Sequence, residues 1–157
     1  MKNKHEHIKA VLRGFPKKRP ELNADYQKIY VQHYMENRNG STQVSRITSI
    51  LESWGHKKVS STSVEGSSTL EIGAGTLNQF NFEKKTGKYD IVEPFTQLYE
   101  NSPCRKNVDN IYADITEISE DSRYDRITSV YAFEHILNLP EVIAAAALHL
   151  SDRKSVV

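Results

Sequence analysis

The chain has 157 residues, enough for one domain with a sizeable core, and its formal net charge at pH 7 is +1. This near-neutral balance argues against a large basic face for nucleic acid. Hydrophobic residues make up 38% of the chain and charged residues 26%, which argues against a wholly disordered protein.

The cysteine content and the N-terminus indicate the compartment. Cys104 is the single cysteine, so no internal disulfide is possible. A metal site at Cys104 is not indicated, because no second cysteine or nearby histidine accompanies it. No apolar run reaches the length of a membrane span, and residues 1–9 lack the apolar middle of a signal peptide. We therefore expect a cytoplasmic protein.

Residues 1–66 are predicted to form an N-terminal helical extension. Residues 1–20 are interpreted as a basic, solvated arm, with a contact to an acidic substrate or a membrane surface as the alternative. Residues 21–39 are predicted to form an amphipathic helix. A second helix is expected from a cap at Ser41 to a stop at Gly55, followed by a connection at residues 57–67. These helices are candidates for a cover over a ligand cleft. Four of their side chains are read as core residues rather than ligand contacts: Tyr30, Tyr34, Trp54 and His56.

Residues 67–151 are predicted to form an α/β domain with a parallel, Rossmann-like sheet. Four strand-like runs alternate with loops or helices, at residues 69–72, 88–92, 110–113 and 126–130. Helices are expected from residue 94 and over residues 139–150. Only fifteen residues, 73–87, separate the first two strands, which predicts a short or distorted first helix.

A glycine turn follows the first strand. Gly73 and Gly75 allow the backbone to approach a ligand closely, but G-x-G alone is a weak signal. A third glycine would fall at Asn78 in a dinucleotide fingerprint, or at Leu77 in many methyltransferases. Glu71, just before the turn, would repel a pyrophosphate but not an amino group or a sulfonium. The pattern therefore favours S-adenosylmethionine over NAD.

Two further acids follow the next strands. Glu93 ends the second strand, directly before Pro94, where a carboxylate can accept hydrogen bonds from both ribose hydroxyls. Asp114 ends the third strand and can accept a hydrogen bond from an adenine amino group, with Ile115 packing on the ring. A helix cap is an equally good interpretation of Asp114.

The segment leaving the fourth strand, residues 130–136, carries Glu134 and His135 near the carboxyl edge of the sheet. His135 can act as a general base on a hydroxyl or an amine. The interpretation preferred over this one is a helix-start residue that packs under the cofactor.

Together these segments resemble the class I S-adenosylmethionine-dependent methyltransferases. The resemblance rests on Leu70-Glu71-Ile72-Gly73-Ala74-Gly75, Glu93, Asp114-Ile115, Tyr124-Asp125-Arg126-Ile127 and Phe133-Glu134-His135-Ile136. It implies a sheet ordered 3-2-1-4-5-7-6, of which this chain supplies strands 3-2-1-4, and methyl transfer to O, N or C of an acceptor. It further implies cofactor contacts at Glu71, Gly73, Ala74, Gly75, Glu93, Pro94, Asp114, Ile115 and Glu134.

The N-terminal helices are similar to those of a bacterial subgroup that acts on cell-surface sugars or other small molecules. We therefore expect a small-molecule acceptor. Residues 152–157 are interpreted as an artefactual tail, because a common sequencing adapter encodes Asp-Arg-Lys-Ser-Val-Val. On that interpretation the chain is truncated, and weak or no turnover is expected of it.

Two other functions stay open at this point. One is an NAD-dependent oxidoreductase or epimerase, which requires the glycine that Asn78 replaces. The other is a non-catalytic interaction module built on the N-terminal helices and an open sheet edge.

Overall fold

The computed structural model of the chain describes residue 13 and residues 21–38, 43–83 and 87–151. Two helices come first, α1 (Ala24–Arg38) and α2 (Gln43–Ser60). The strands are β1 (Thr69–Ile72), β2 (Tyr89–Val92), β3 (Ile111–Tyr112) and β4 (Arg126–Thr128). Helix α3 (Thr96–Tyr99) follows β2, and α4 (Leu139–His149) follows β4.

The four strands form one parallel sheet in the order β3-β2-β1-β4. This confirms the predicted Rossmann-like architecture and strand order. Every residue of β1, β2 and β4 is buried, as expected for a parallel sheet that is covered on both faces. The division of the chain at residues 66 and 151 stays a prediction.

Side chains along a strand point alternately to the two faces of the sheet, and they contribute to two apolar clusters. Leu70 and Ile72 of β1 pack with Ile127 of β4 and with Val142 and Ala146 of α4. Tyr89 and Ile91 of β2 pack in the second cluster, which also contains Leu77, Tyr99 and Val108. Both clusters anchor the strands whose carboxyl ends carry the candidate site.

The helix ends differ from the prediction in one instructive place. Helix α1 confirms the helix expected at 21–39, but Gly55 does not end α2, which continues to Ser60. A Cβ atom at Gly55 would lie 2.3 Å from the hydroxyl oxygen of Tyr131. The glycine therefore makes room for a neighbouring ring and does not act as a helix stop.

The first crossover is short, as predicted. A 3-10 helix at Asn78–Asn81 takes the place of a full crossover helix. The basic arm, apart from Arg13, lies outside the described residues, as do the expected cap at Ser41 and the tail at 152–157.

The chain beyond α4 turns back beside the start of β4. The backbone N–H of Tyr124 donates to the carbonyl of His149 at 2.8 Å, and the N–H of Ser151 donates to the carbonyl of Tyr124 at 2.9 Å. Tyr124 and Leu150 thus form an isolated parallel bridge. Across the described ranges, no helix has both the length and the apolar character needed to cross a bilayer.

Candidate functional site

A cavity of about 490 Å³ opens at the carboxyl edge of the sheet. In open α/β sheets this edge is where ligands bind, and the volume is in the usual range for small-molecule pockets. The loops after the four strands contribute Gly73, Gly75, Glu93, Pro94, Asp114, Ile115, Tyr131, Ala132 and His135 to its lining. Residues 21–30 close it from above through Glu21, Leu22, Gln27 and Tyr30.

The glycine turn after β1 uses backbone angles that favour glycine. Gly73 has φ +73° and Gly75 has φ +51°. A Cβ atom at Gly73 would lie 2.4 Å from the Cβ atom of Ala132, so the turn after β1 packs directly against the loop after β4. Leu77 has φ +64° and is nearly fully buried, so a leucine adopts the left-handed angle where many methyltransferases have a third glycine.

Glu93 ties two of the cavity loops together. Its Oε2 accepts a hydrogen bond from the N–H of Gly75 at 2.8 Å, and its Oε1 accepts one from the N–H of Phe95 at 3.0 Å. Burial raises the pKa of this carboxyl, and the two backbone bonds oppose that rise. An ionised carboxylate offers about four acceptor positions, so two stay available to a ligand in the cavity.

Asp114 fits both interpretations that its sequence position suggested. Its Oδ1 accepts hydrogen bonds from the backbone N–H and the hydroxyl of Thr116, at 2.8 and 2.7 Å, and so caps a 3-10 helix at Ile115–Glu117. Asp114 is exposed, and both Asp114 and Ile115 line the cavity. The cap holds the carboxylate in place without removing it from the cavity wall.

His135 also lines the cavity, and it lies in a 3-10 helix at Phe133–His135. The ring of Tyr30 from α1 meets it edge-on, with centroids 5.4 Å apart, and lies 5.9 Å from the ring of Phe95. Tyr30 therefore spans the cavity between the loop after β2 and the loop after β4. This places α1 over the cleft, as the sequence suggested.

Three predicted cofactor residues do not line the cavity: Glu71, Ala74 and Glu134. Glu71 is almost completely buried, and its Oε2 accepts a hydrogen bond from the Tyr89 hydroxyl at 2.8 Å. Burial raises its pKa to about 8, partly opposed by that bond. Cofactor contacts at Glu71, Ala74 and Glu134 therefore stay predictions. Glu134 is exposed, with its carboxylate 3.8 Å from Nε2 of His135.

Tyr131 lines the cavity and had no role assigned from the sequence. It has φ +54°, and its hydroxyl donates to the carbonyl of Leu51 in α2 at 2.8 Å. Its ring also meets His56 edge-on at 6.1 Å. The available signal was Gly55 inside an otherwise helical pattern, which marks a close approach by another group.

The charged groups of the cavity are mostly acidic. Glu21, Glu93 and Asp114 line it together with His135, and no lysine or arginine of the described segments does so. Those segments also contain no cluster of three histidine, cysteine or acidic side chains arranged for a metal ion. The cavity is thus suited to a ligand that carries positive charge.

The fold is similar to that of solved S-adenosylmethionine-dependent methyltransferases. Solved structures with this fold include the plantazolicin methyltransferase BamL with a triazolic desmethylPZN analog and SAH (TM-score 0.54, 16% identity, 98% of this chain and 55% of that chain covered). The related BpumL with SAH gives TM-score 0.54, 17% identity and coverage of 98% and 56%.

Coclaurine N-methyltransferase, bound to N-methylheliamine and SAH, gives TM-score 0.59 and 20% identity, with 98% of this chain and 48% of that chain covered. The chain thus spans about half the length of these enzymes. No protein-family model matches it, and no curated protein matches it in sequence.

Proposed function

We propose that the chain binds S-adenosylmethionine in the sheet-edge cavity and belongs to an enzyme that transfers its methyl group to a small-molecule acceptor. The observation that carries the proposal is the Glu93 carboxylate, which lines the cavity while it holds the glycine turn at Gly75. Support also comes from the fold, since BamL and BpumL were solved with SAH.

The cavity residues fit this cofactor. Gly73 and Gly75 leave the turn without side chains where the methionine portion would lie, and Glu93 keeps acceptor positions for ribose hydroxyls. Ile115, with Ile72 and Val92 nearby, offers an apolar wall for adenine, and Asp114 offers an acceptor at its edge. Pro94 borders the ribose position.

The charge of the cavity favours this cofactor over NAD. The sulfonium and the amino group are positive, whereas a dinucleotide carries a negative pyrophosphate. The carboxylates of Glu93 and Asp114 line the cavity, and the described residues provide no lysine or arginine there to balance a pyrophosphate. A pyrophosphate site also normally uses the N-terminus of a full helix, and the turn here leads into a 3-10 helix of four residues.

The protein's contribution to the reaction is mainly positioning. The bound cofactor supplies an electrophilic methyl group on a good leaving group. Tyr30, Phe95 and His135 surround the side of the cavity where an acceptor would enter. His135 would orient the acceptor and take a proton from its hydroxyl or amine, and the aromatic rings would exclude water.

Binding of S-adenosylhomocysteine to the full chain tests the proposal directly. Isothermal titration calorimetry should show binding of S-adenosylhomocysteine and no binding of NAD. Glu93→Gln and Asp114→Asn each remove one charge with little change in shape, and each should weaken binding about ten-fold or more.

The matched control is Asp121→Asn, which removes an exposed carboxylate outside the cavity and should leave the affinity unchanged. Circular dichroism of each variant checks that it is folded. Binding of NAD, or equal affinity of wild type and Glu93→Gln for S-adenosylhomocysteine, would overturn the assignment.

A further inference from the structure

The outer side of α2 carries a compact apolar patch in its described part. Ile50 is 68% exposed, Leu51 61% and Trp54 68%, although all three are large hydrophobic residues. The opposite side of the same helix is well packed, because His56, Val59 and Ser60 are buried. The exposed side chains are therefore not needed to hold α2 against the sheet.

Two lysines extend this patch. At 3.6 residues per turn, Lys57 follows Trp54 along the helix, and Lys58 follows Leu51 and Trp54. Both lysines are exposed, and neither forms an ion pair with any described residue. Glu52 lies on the opposite side of the helix from Ile50. The patch formed by Ile50, Leu51, Trp54, Lys57 and Lys58 thus combines apolar bulk with two positive charges.

We infer that this patch docks the protein on an anionic lipid surface. Interfacial helices combine tryptophan and aliphatic side chains, which enter the boundary between headgroups and acyl chains, with lysines that meet lipid phosphates. Three apolar side chains and two lysines supply both features. All five are exposed and lie on one side of α2.

A second copy of the chain fits the patch less well. A stable interface usually buries roughly 800 Å² per partner and involves about 20–30 residues on each side. Five side chains fall well short of that. A partner patch of the same composition would also bring lysines without any acid to pair with them. An anionic lipid surface supplies the negative charge that complements these lysines.

Trp54 is the only tryptophan of the protein, so its fluorescence reports docking directly. The full chain is mixed with vesicles of phosphatidylcholine alone or of phosphatidylcholine with phosphatidylserine. The expected result is a shift of the emission to shorter wavelength, together with co-flotation, only with the phosphatidylserine vesicles. High salt should reverse both effects.

Three variants separate the contributions of the charged and the apolar side chains. Replacing each lysine by glutamine, Lys57→Gln and Lys58→Gln, should weaken vesicle binding about five-fold per lysine. Ile50→Ser should weaken it further and keep the fold, because this side chain is mostly exposed. Tyr26→Ser on α1 is the matched control, since Tyr26 is 60% exposed but lies outside the patch.

Three results would overturn the inference. The first is equal binding to neutral and anionic vesicles. The second is an unchanged emission spectrum with both. The third is self-association, measured by light scattering, that Ile50→Ser removes while vesicle binding is absent. None of these measurements depends on cofactor binding, so the inference stands or falls separately from the proposed function.

Discussion

Gly73 and Ala132 pack so closely that the Cβ atom missing from Gly73 would lie 2.4 Å from the Cβ atom of Ala132. This contact joins the turn after β1 to the loop after β4, and both residues line the cavity. It depends on a glycine for two reasons: the positive φ angle and the lack of space.

Gly73→Ala should therefore destabilise the protein by more than the backbone angle alone requires. Gly66 separates the two effects, because it has φ +78° and nothing within 4 Å of its missing Cβ atom. We expect Gly66→Ala to cost about 1–2 kcal/mol. Gly73→Ala should cost about 1–3 kcal/mol more, because the Cβ atom of Ala132 is bonded directly to the backbone and cannot rotate away from the new methyl group.

Urea denaturation of both variants measures this difference. Ala132→Gly in the Gly73→Ala background should restore part of the loss by removing the opposing methyl group. Equal stability of the two single variants would mean that the loops separate without cost.

At position 77, glycine should destabilise the protein less than alanine does, which reverses the usual order. Leu77→Ala creates a cavity in a buried cluster and should cost about 2–5 kcal/mol. Leu77→Gly removes slightly more but relieves the left-handed angle of φ +64°, so it should be about 1 kcal/mol more stable than Leu77→Ala. Thermal unfolding monitored by circular dichroism gives the order.

Ala147→Gly in α4 is the reference for a position with ordinary helical geometry. Ala147 is exposed, and glycine should cost about 1 kcal/mol there. If glycine is the worse residue at both positions, the left-handed angle of Leu77 carries no strain.

The close contact between Gly55 and Tyr131 predicts that Gly55→Ala will change ligand affinity more than protein stability. Gly55→Ala should gain about 1 kcal/mol of helix propensity. The new methyl group would displace the Tyr131 ring and break its bond to Leu51, at a cost of about 0.5–1.5 kcal/mol. Stability should therefore change little, whereas S-adenosylhomocysteine affinity should fall because Tyr131 lines the cavity.

Tyr131→Ala serves as the partner variant in a double-mutant cycle. In that background Gly55→Ala should stabilise α2 and have no further effect on ligand affinity. Additive effects on affinity would show that the two positions are not coupled.

Glu71 predicts that stability falls with increasing pH. Burial raises its pKa from an ordinary 4.5 to about 8, so between these values the folded protein holds a proton that the unfolded chain releases. The free energy of unfolding should fall over this range by at most about 1.4 kcal/mol per pH unit. The contribution is complete below the unfolded pKa and is lost as the pH rises through the folded pKa.

Glu71→Gln tests this, because glutamine keeps an acceptor for Tyr89 and does not ionise in this range. Urea denaturation between about pH 5 and pH 8 should show the variant gaining stability relative to wild type as the pH rises. A constant difference between the two proteins across this range would contradict a raised pKa.

Most of the architecture follows from local sequence patterns. The buried runs at 69–72 and 88–92 and the alternation of strands with helices predicted the parallel sheet, and the short gap between them predicted the distorted crossover. Strand ends and the end of α2 were less accurate. A glycine inside a helix has the same local signature whether it ends the helix or accommodates a ring from residue 131.

The sequence likewise predicted some features of the candidate site and missed others. The sequence by itself determined that Gly73, Gly75, Glu93, Asp114 and His135 meet at one edge, because the carboxyl ends of parallel strands always do. Only the tertiary structure decided where each side chain points. Alternation sends Glu71 into a buried cluster with Tyr89, although it is just two residues from the glycine turn. Packing between α1, α2 and the strand loops brings Tyr30 and Tyr131 to the cavity, because such contacts depend on distant residues that no local pattern records.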